Sequence, residues 1–550
     1  MKSKKMVSML LTLMAMGLGV VGCSTGDGAK TTGGAKVNVK EKAETVGEDG
    51  REMIGNMYKT GLPIVKEKET FTIFVDDASV DVAQKYIYPI LEEQTNVKVE
   101  FMAFPYEIAT EKKNILLNSG EYPEVFGGWT MSENDILNDG MGDGLYVPLN
   151  EYIEEYAPNM KKMLEYPGVR EAMTLPDGNI YTIPYVIGTP EVGFLPWINK
   201  EWLDRVGKEV PNTTEELRDV LRAFKEQDAN GNGNPNDEIP FSGDPDNLNI
   251  GMLAGWFGVN VSGVDKYFAM ENEKVEFQAN KEGYKEYIKY MASLYKEGLI
   301  DPEIFTHDGA TWKSKGQQNL IGVNIAYGPG DYYQIEPGEY GPFAALPVLK
   351  SDFTDKPIYH RGSYGSTTFR TQVAITDRAA NPEVIVRWFD NVFEEENSVQ
   401  IQWGPFGKKV EKLSDGQYRQ LDSDKLLTEE EKKLYDWGQL YSQSLPKFIP
   451  LEAKLLPMEG EKAPIDHKLD ADKLYQPYLT EMVPQVWATT EVKNRLTILE
   501  TDITKYVDQK QGEWISGQAD IDAEWDTYLA QLEKYGLQEL IDIKKELIEK

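Results

Sequence analysis

The 550-residue chain has a single cysteine, Cys23. No intramolecular disulfide framework can staple it, so the fold must rest on its apolar core. Positive charge is also scarce: 58 basic residues face 91 acidic ones, a formal charge of −33. Such a field repels nucleic acid, whose recognition needs a basic footprint, and disfavours strongly anionic ligands unless a local basic cleft overcomes it. Only three histidines occur; His307, His360 and His467 stand apart in polar loops without metal-ligand spacing and are expected at the surface. The sequence holds no Walker-type phosphate loop, no G-x-S-x-G elbow and no paired zinc motif. A carboxylate pair for glycoside hydrolysis depends on separation in space, so that chemistry stays open. Beyond the N-terminal apolar run there is no second stretch of about 20 apolar residues, and the body is read as lying outside the bilayer. Repeats of solenoid or propeller period are absent.

What is present starts with Lys2, Lys4 and Lys5, then an apolar run from Met6 to about Val21 that is too short and too rich in small residues to span a bilayer. Residues 1–22 therefore read as a signal peptide. Val20-Val21-Gly22-Cys23 resembles the lipobox of bacterial lipoproteins, which implies cleavage before Cys23 and a diacylglyceryl thioether on its sulfur. From Ser24 to about Lys66 Gly, Thr, Lys and Glu dominate, so residues 23–66 are expected to be a lipidated, flexible tether. These expectations put the protein on the outer face of a cell membrane, attached only through its lipid.

The remainder is long enough for about two or three domains, and 41% hydrophobic and 11% aromatic residues suffice to fill their cores. Glu69-Thr-Phe-Thr-Ile-Phe-Val75 has strand-type residues, Val80 to Gln94 carries helical spacing, and Val97-Lys-Val-Glu-Phe101 returns to alternation. A β-α-β unit with so short a crossover implies a parallel sheet covered by helices, hence an α/β fold. Helices are further expected at Tyr106–Asn118, Thr213–Gln227 and Lys281–Gly298, and from about Thr428 helical periodicity dominates.

Several segments in order resemble the extracellular solute-binding proteins of ABC importers, in the carbohydrate-associated group that includes maltose-binding protein. They include Leu91-Glu-Glu-Gln-Thr-Asn-Val97, Asn118-Ser-Gly-Glu-Tyr-Pro-Glu124, Asp177-Gly-Asn-Ile-Tyr-Thr-Ile-Pro184, Trp197-Ile-Asn-Lys-Glu-Trp-Leu-Asp204, Leu294-Tyr-Lys-Glu-Gly-Leu-Ile-Asp-Pro302 and Ala523-Glu-Trp-Asp526. The resemblance implies a two-lobed, type II periplasmic-binding-protein-like fold with hinge strands and a helical C-terminal region. Its expected lobes are residues 67–187 plus 372–406 and residues 188–371 plus 407–550, with crossings near Ile187–Val192, near Thr368–Gln372 and after about Phe406. It further implies a monomeric, non-enzymatic receptor that holds a carbohydrate between the lobes and delivers it to membrane permease subunits. A surface-anchored glycoside hydrolase or lyase, or a lipoprotein sensing a non-sugar solute, are the alternatives.

Sugar binding needs aromatic faces and hydrogen-bonding groups. Trp129, after Gly127-Gly128, lies where the family places a cleft aromatic. Trp256, Tyr327, Tyr332 and Trp403 occupy similar loop contexts, with Tyr185, Tyr364 and Arg361 as further candidates; a packed core position competes for each aromatic. Trp514 and Trp525 lie on helical periodicity and are expected in the core.

Asp228-Ala-Asn-Gly-Asn-Gly-Asn-Pro-Asn-Asp-Glu-Ile-Pro240 opens like an EF-hand loop, with oxygen side chains at positions 1, 3 and 5 and Gly233 at position 6. Position 12 is Ile239 rather than a bidentate Glu. The loop resembles the calcium loop of this binding-protein branch, with its Asp-Glu pair displaced by one residue. The ligands so implied are Asp228, Asn230, Asn232, Asn234, Asp237 and Glu238, holding a structural calcium. A metal-free Asn/Gly turn is the competing reading.

Overall fold

The computed structural model describes residues 43–77, 82–243, 249–263, 265–335, 341–363, 365–434, 445–458 and 464–549. The signal-peptide and lipidation expectations, Cys23 included, lie outside them, as does Tyr364.

The β-α-β start is present: strands Glu69–Val75 and Val97–Ala103 run parallel, linked through helix Ile87–Thr95. The helix ends where Asn96 adopts a left-handed φ of 61° and its N–H bonds back to Glu92 O. These strands belong to a six-stranded mixed sheet in the order Phe448–Ile449, Thr182–Gly188, Ser366–Ile375, Val125–Gly127, Glu69–Val75, Val97–Ala103. Alternate residues of a strand point to opposite faces. Phe71, Ile73, Val125, Val373 and Ile375 accordingly join Trp388 and Phe389 in one core, while Phe74, Phe126 and Ala374 join Tyr146 and Trp487 in another. Burial on both faces explains why Thr-Ile-Phe-Val75 reads as a nearly continuous apolar run.

A second sheet, ordered Phe343–Ala345, Leu195–Asn199, Ile321–Ala326, Ile239–Gly243, forms the other lobe. Helix Thr214–Glu226 covers it; Thr213 and Glu216 form a reciprocal N-terminal cap, and Leu217, Val220, Leu221 and Phe224 sit on the buried face at helical spacing. The C-terminal helices Thr490–Ile515, Ile521–Lys534 and Leu537–Ile548 extend this core. There Trp514 and Trp525 pack on Tyr528, with ring centroids 5.0 and 5.3 Å away.

The chain leaves the first sheet after Gly188, enters the second at Leu195, and returns between Ala345 and Ser366. The two crossings run side by side: Thr189 N–H donates to Gly365 O at 3.0 Å and Gly362 N–H to Glu191 O at 2.6 Å.

Three boundaries differ from the sequence reading. Strand Ser366–Ile375 lies wholly in the first sheet, paired from Ser366 onward with Thr182–Gly188, so the return crossing precedes Ser366 rather than Gln372. Residues 407–434 and 445–458 stay with the first lobe: Phe448–Ile449 extends its sheet beside Val186, and Val410 and Tyr418 share an apolar cluster with Ile449 and Ile187. Residues 44–66 are not a free tether. They form a three-stranded sheet, with Met57, Ile64 and Val65 fully buried against the first lobe and Arg387 donating to the carbonyls of Tyr58 and Gly61. A handful of apolar side chains within a Gly- and Lys-rich stretch is enough to dock it.

Candidate ligand-binding cleft

Trp129 reaches its position through tight backbone geometry. Gly128 has a φ of +104°, and a β-carbon there would lie 1.9 Å from Asp76 Oδ1, so the turn tolerates only glycine. Asp76 Oδ2 accepts the Trp129 backbone N–H at 2.8 Å. On the far side the buried Lys113 ammonium donates to Thr130 O at 2.8 Å and to Asp135 at 2.6 Å, and Asp135 shares a capping box with Ser132. The loop is thus held at both ends.

Trp129 sets its edge against Phe369, with centroids 5.0 Å apart at 86°, and Phe369 stacks on Tyr185 at 5.2 Å and 24°. Phe369 is 38% exposed, unusual for an aromatic on a sheet strand. Immediately after it the pairing register shifts, and this bulge releases Arg370, Thr371 and Gln372 from regular pairing.

A cavity of about 540 Å³ opens at this point, within the range of small-molecule sites. Trp129, Glu133, Phe369 and Arg370 line it from the first lobe; Asp265, Lys493 and Lys544 line it from the other, and Trp487 bridges them. Arg370 Nε donates to Glu133 at 3.0 Å, and Lys493 pairs with the second Glu133 oxygen at 2.9 Å. Burial pushes the Glu133 carboxyl up, but Arg370 and then Lys493 outweigh it and hold the group below the usual carboxylate range. The Arg370 guanidinium lies 4.2 Å over the Trp487 ring, whose indole N–H donates to Ala172 O at 2.7 Å. Lys544 pairs with Asp265 and Glu500, both at 2.8 Å; burial lowers its pKa, and these two carboxylates more than restore it.

The sequence profile of the bacterial extracellular solute-binding proteins matches residues 87–357. The fructooligosaccharide ABC transporter substrate-binding protein FusA of Streptococcus pneumoniae serotype 4 is 30% identical over 519 residues, covering 88% of this chain and 90% of FusA. The chain belongs to the bacterial extracellular solute-binding proteins. Structures of FusA, with kestose and as an EF-hand mutant with fructo-nystose, superpose with a TM-score of 0.70 over 87% of this chain and 98% of theirs. An extracellular solute-binding protein from Bifidobacterium longum subsp. infantis, 25% identical, superposes with a TM-score of 0.73 over 91% of this chain and 99% of its own. The fold of this solute-binding protein is therefore type II.

Of the residues singled out by sequence, Trp129 lines the cavity of this solute-binding protein. Tyr185 stands one ring behind it, stacked on Phe369, with the Lys447 ammonium 4.7 Å from its centroid. Trp256 and Tyr332 are 0% and 2% exposed and belong to the second lobe's core. Trp256 sits in a 3₁₀ turn, Asn249–Phe257, of mostly apolar residues, and Tyr332 is wedged between Trp312 and Phe343. Tyr327 is partly exposed, under the Lys468 ammonium and away from the cavity lining. Trp403 packs on Tyr418 in the small cluster below the first sheet. Arg361 clamps the crossings instead, ion-paired with Glu191 and donating to Thr480 O at 3.3 Å. Two expected surface histidines are also enclosed: His307 is buried with Nε2 3.2 Å from Gly243 O, and His360 faces a small internal pocket beside Ser262.

Phe369, Arg370, Glu133, Lys493 and Trp487 were not picked out by sequence. Trp487 carried a usable signal, because it follows Pro484 in an extended segment where an indole has no helical face to bury. Phe369 carried none; a bulge cannot be seen in Thr367-Thr-Phe-Arg370.

The Asp228–Glu238 loop joins helix Thr214–Glu226 to strand Ile239–Gly243. Asp228 Oδ1 and both carboxylate oxygens of Glu238 are buried without a hydrogen-bond partner, and burial raises the Glu238 pKa. Orphaned acid oxygens of this kind fit a hard cation. Asn230, Asn232 and Asn234 turn their amides onto Asp237, at 3.0, 2.9 and 2.9 Å. Desolvation raises Asp237, and these three donors outweigh it to hold it low. Among the described residues no three His, Cys, Asp or Glu side chains converge on one point. Most oxygen donors of this loop are amides, and rotating an amide exchanges its nitrogen for its oxygen.

Proposed function

We propose that this solute-binding protein captures a carbohydrate, an oligosaccharide, between its lobes and delivers it as a monomer to ABC-type permease subunits without altering it. The observation that carries the reading is the aromatic wall of Trp129 and Phe369 facing an inter-lobe cavity ringed by polar groups. Sugar rings present apolar C–H faces to such a wall and hydroxyls to such a rim. The similarity to FusA, a fructooligosaccharide-binding protein, supports the same reading.

A glycosidase reading fits less well. Its general acid needs a raised carboxyl pKa, whereas Glu133 is held low, and Asp265 and Glu500 are both engaged by Lys544.

The proposal includes a lipid on Cys23, holding the protein at the outer face of the membrane, and a calcium ion in the 228–238 loop. There Asp228 and Glu238 would supply charge, and the amides of Asn230, Asn232 and Asn234 would supply neutral oxygens; the ion's role is structural. With residues 44–66 docked on the first lobe, the stretch from the lipid to the folded body shortens to residues 24–42. Its reach stays local, which keeps the receptor at high effective concentration near its permease.

Calorimetric titration of the mature protein against an oligosaccharide panel, with the sugars analysed afterwards, tests the reading. Saturable binding with intact sugar supports it. Hydrolysis, or no heat with any saccharide, sinks it.

A further inference from the structure

We infer that Arg370 is the polar anchor of the ligand: the free edge of its guanidinium, Nη1 with the remaining N–H of Nη2, donates to two adjacent oxygens of the saccharide that lies against Trp129. The inference rests on the carbohydrate reading above and names the residue that fixes the sugar's orientation.

Phe369 and Arg370 are neighbours in one strand, and neighbours in a regular strand point to opposite faces. Both nevertheless line the cavity, because the bulge that follows Phe369 re-aims Arg370. The backbone there is tied down, since the Thr182 hydroxyl donates to Arg370 O at 2.6 Å. The guanidinium is fixed as well. Its Nε donates to Glu133 Oε1 at 3.0 Å, Nη2 donates to the same oxygen, and its Cζ lies 4.2 Å from the centre of the Trp487 ring. An arginine held by its backbone, one edge and one face has little freedom left to lose on binding.

Glu133 uses two of its five N–H donors. Among the described residues, Nη1 is buried without a hydrogen-bond partner, while the whole side chain keeps 13% of its surface exposed. A buried charged donor left unmade is costly, and a purely structural arginine would have its donors met. The unused donors form the second fork of the guanidinium, which matches two adjacent acceptor oxygens. Vicinal hydroxyls of a neutral sugar and the carboxylate of a uronate both offer such a pair. Glu133 also holds Lys493, and Trp487 leads into Ala488 of the second lobe's core. Hinge motion of the lobes therefore opens the Nη1 edge to an entering ligand.

Calorimetry on the wild type, Arg370→Lys, Arg370→Met and Glu133→Gln tests this, with kestose, a panel of neutral oligosaccharides and trigalacturonate as probes. Analogues of the tightest probe follow, each lacking one hydroxyl or, for trigalacturonate, esterified at the carboxylates. Lysine keeps the charge and can pair with Glu133, but has no fork. Both Arg370 variants should therefore bind the tightest probe about tenfold more weakly or worse. At least one analogue should lose about tenfold on the wild type and little on Arg370→Lys, which identifies the oxygens that Arg370 holds. A neutral sugar as the tightest probe makes that pair vicinal hydroxyls; trigalacturonate makes it a carboxylate. Glu133→Gln loosens the guanidinium and should shrink the same penalty by less, which supplies the answer if neither Arg370 variant folds. Wild-type affinity in Arg370→Lys would reduce the residue to an ion-pair partner of Glu133, overturning the inference and leaving the carbohydrate reading intact. Analogue penalties equal in the wild type and every folded variant would overturn it too. Failure of every saccharide on the wild type would overturn the carbohydrate reading and the inference with it.

Discussion

The two walls of the cavity are built differently. The first lobe offers Trp129 and Phe369, fixed by a glycine turn, the Asp76 acceptor and the Lys113 strut. The opposite wall offers Lys493, Lys544, Asp265 and Glu500, whose charges are spent on one another or on Glu133. Stacking on a preorganised ring yields affinity, because little is lost in ordering it. Paired charges yield discrimination, because they add little net attraction yet penalise a mismatched ligand. Affinity should thus reside on the first wall.

The sharpest way to break this division is Trp129→Ala. Removing a central aromatic contact should weaken oligosaccharide binding by about 2–3 kcal/mol, read as Kd by calorimetry, with the thermal transition little changed. A second test moves from the walls to their supports. If calcium fills the 228–238 loop, chelation should remove about 2.7 kcal/mol of second-lobe stability when the ion was at 100 times its Kd, while the first lobe's transition stays in place. Calorimetric scans with and without chelator separate the two transitions, and Glu238→Gln should blunt the difference.

Acid provides a third, smaller test. His360 is enclosed by protein, and burial pulls its pKa down from 6.5 to about 4. The unfolded chain therefore takes up the proton first, so the stability this group contributes is intact above about pH 6.5 and is lost as pH falls toward 4. Between pH 7 and pH 5 the second lobe should lose about 1–2 kcal/mol, a loss that His360→Gln reduces. The smallest effect is expected from Lys493→Ala. That side chain is one of two cations on Glu133, and its removal should cost below about 1 kcal/mol in neutral-sugar affinity, well short of Trp129→Ala. A larger loss would move affinity to the wrong wall.

Much of the fold was readable because it is written locally. The strand-type residues of Glu69–Val75, the alternation of Val97–Phe101, the helical spacing and cap at Thr213–Glu226 and the C-terminal periodicity each sit within one window of sequence. Trp129 was readable for a related reason, as Gly127-Gly128 announces a close backbone approach. The rest of the cavity was not. Arg370 and Glu133 are 237 residues apart, and what brings them together is a bulge and a sheet order that no local pattern encodes. Trp256 and Tyr332 misled because a Gly-flanked aromatic fits equally well where glycine admits tight core packing, as Gly316 does against Tyr332 O. Residues 44–66 misled because composition averages over the few apolar side chains that dock.

The central claim is that an oligosaccharide is held between the lobes against Trp129. It is tested most directly by titrating the mature protein and its Trp129→Ala variant with the tightest-binding member of a neutral oligosaccharide panel. The account predicts saturable one-site binding to the wild type and a loss of roughly 100-fold in the variant. Undiminished affinity in a folded Trp129→Ala protein would contradict it.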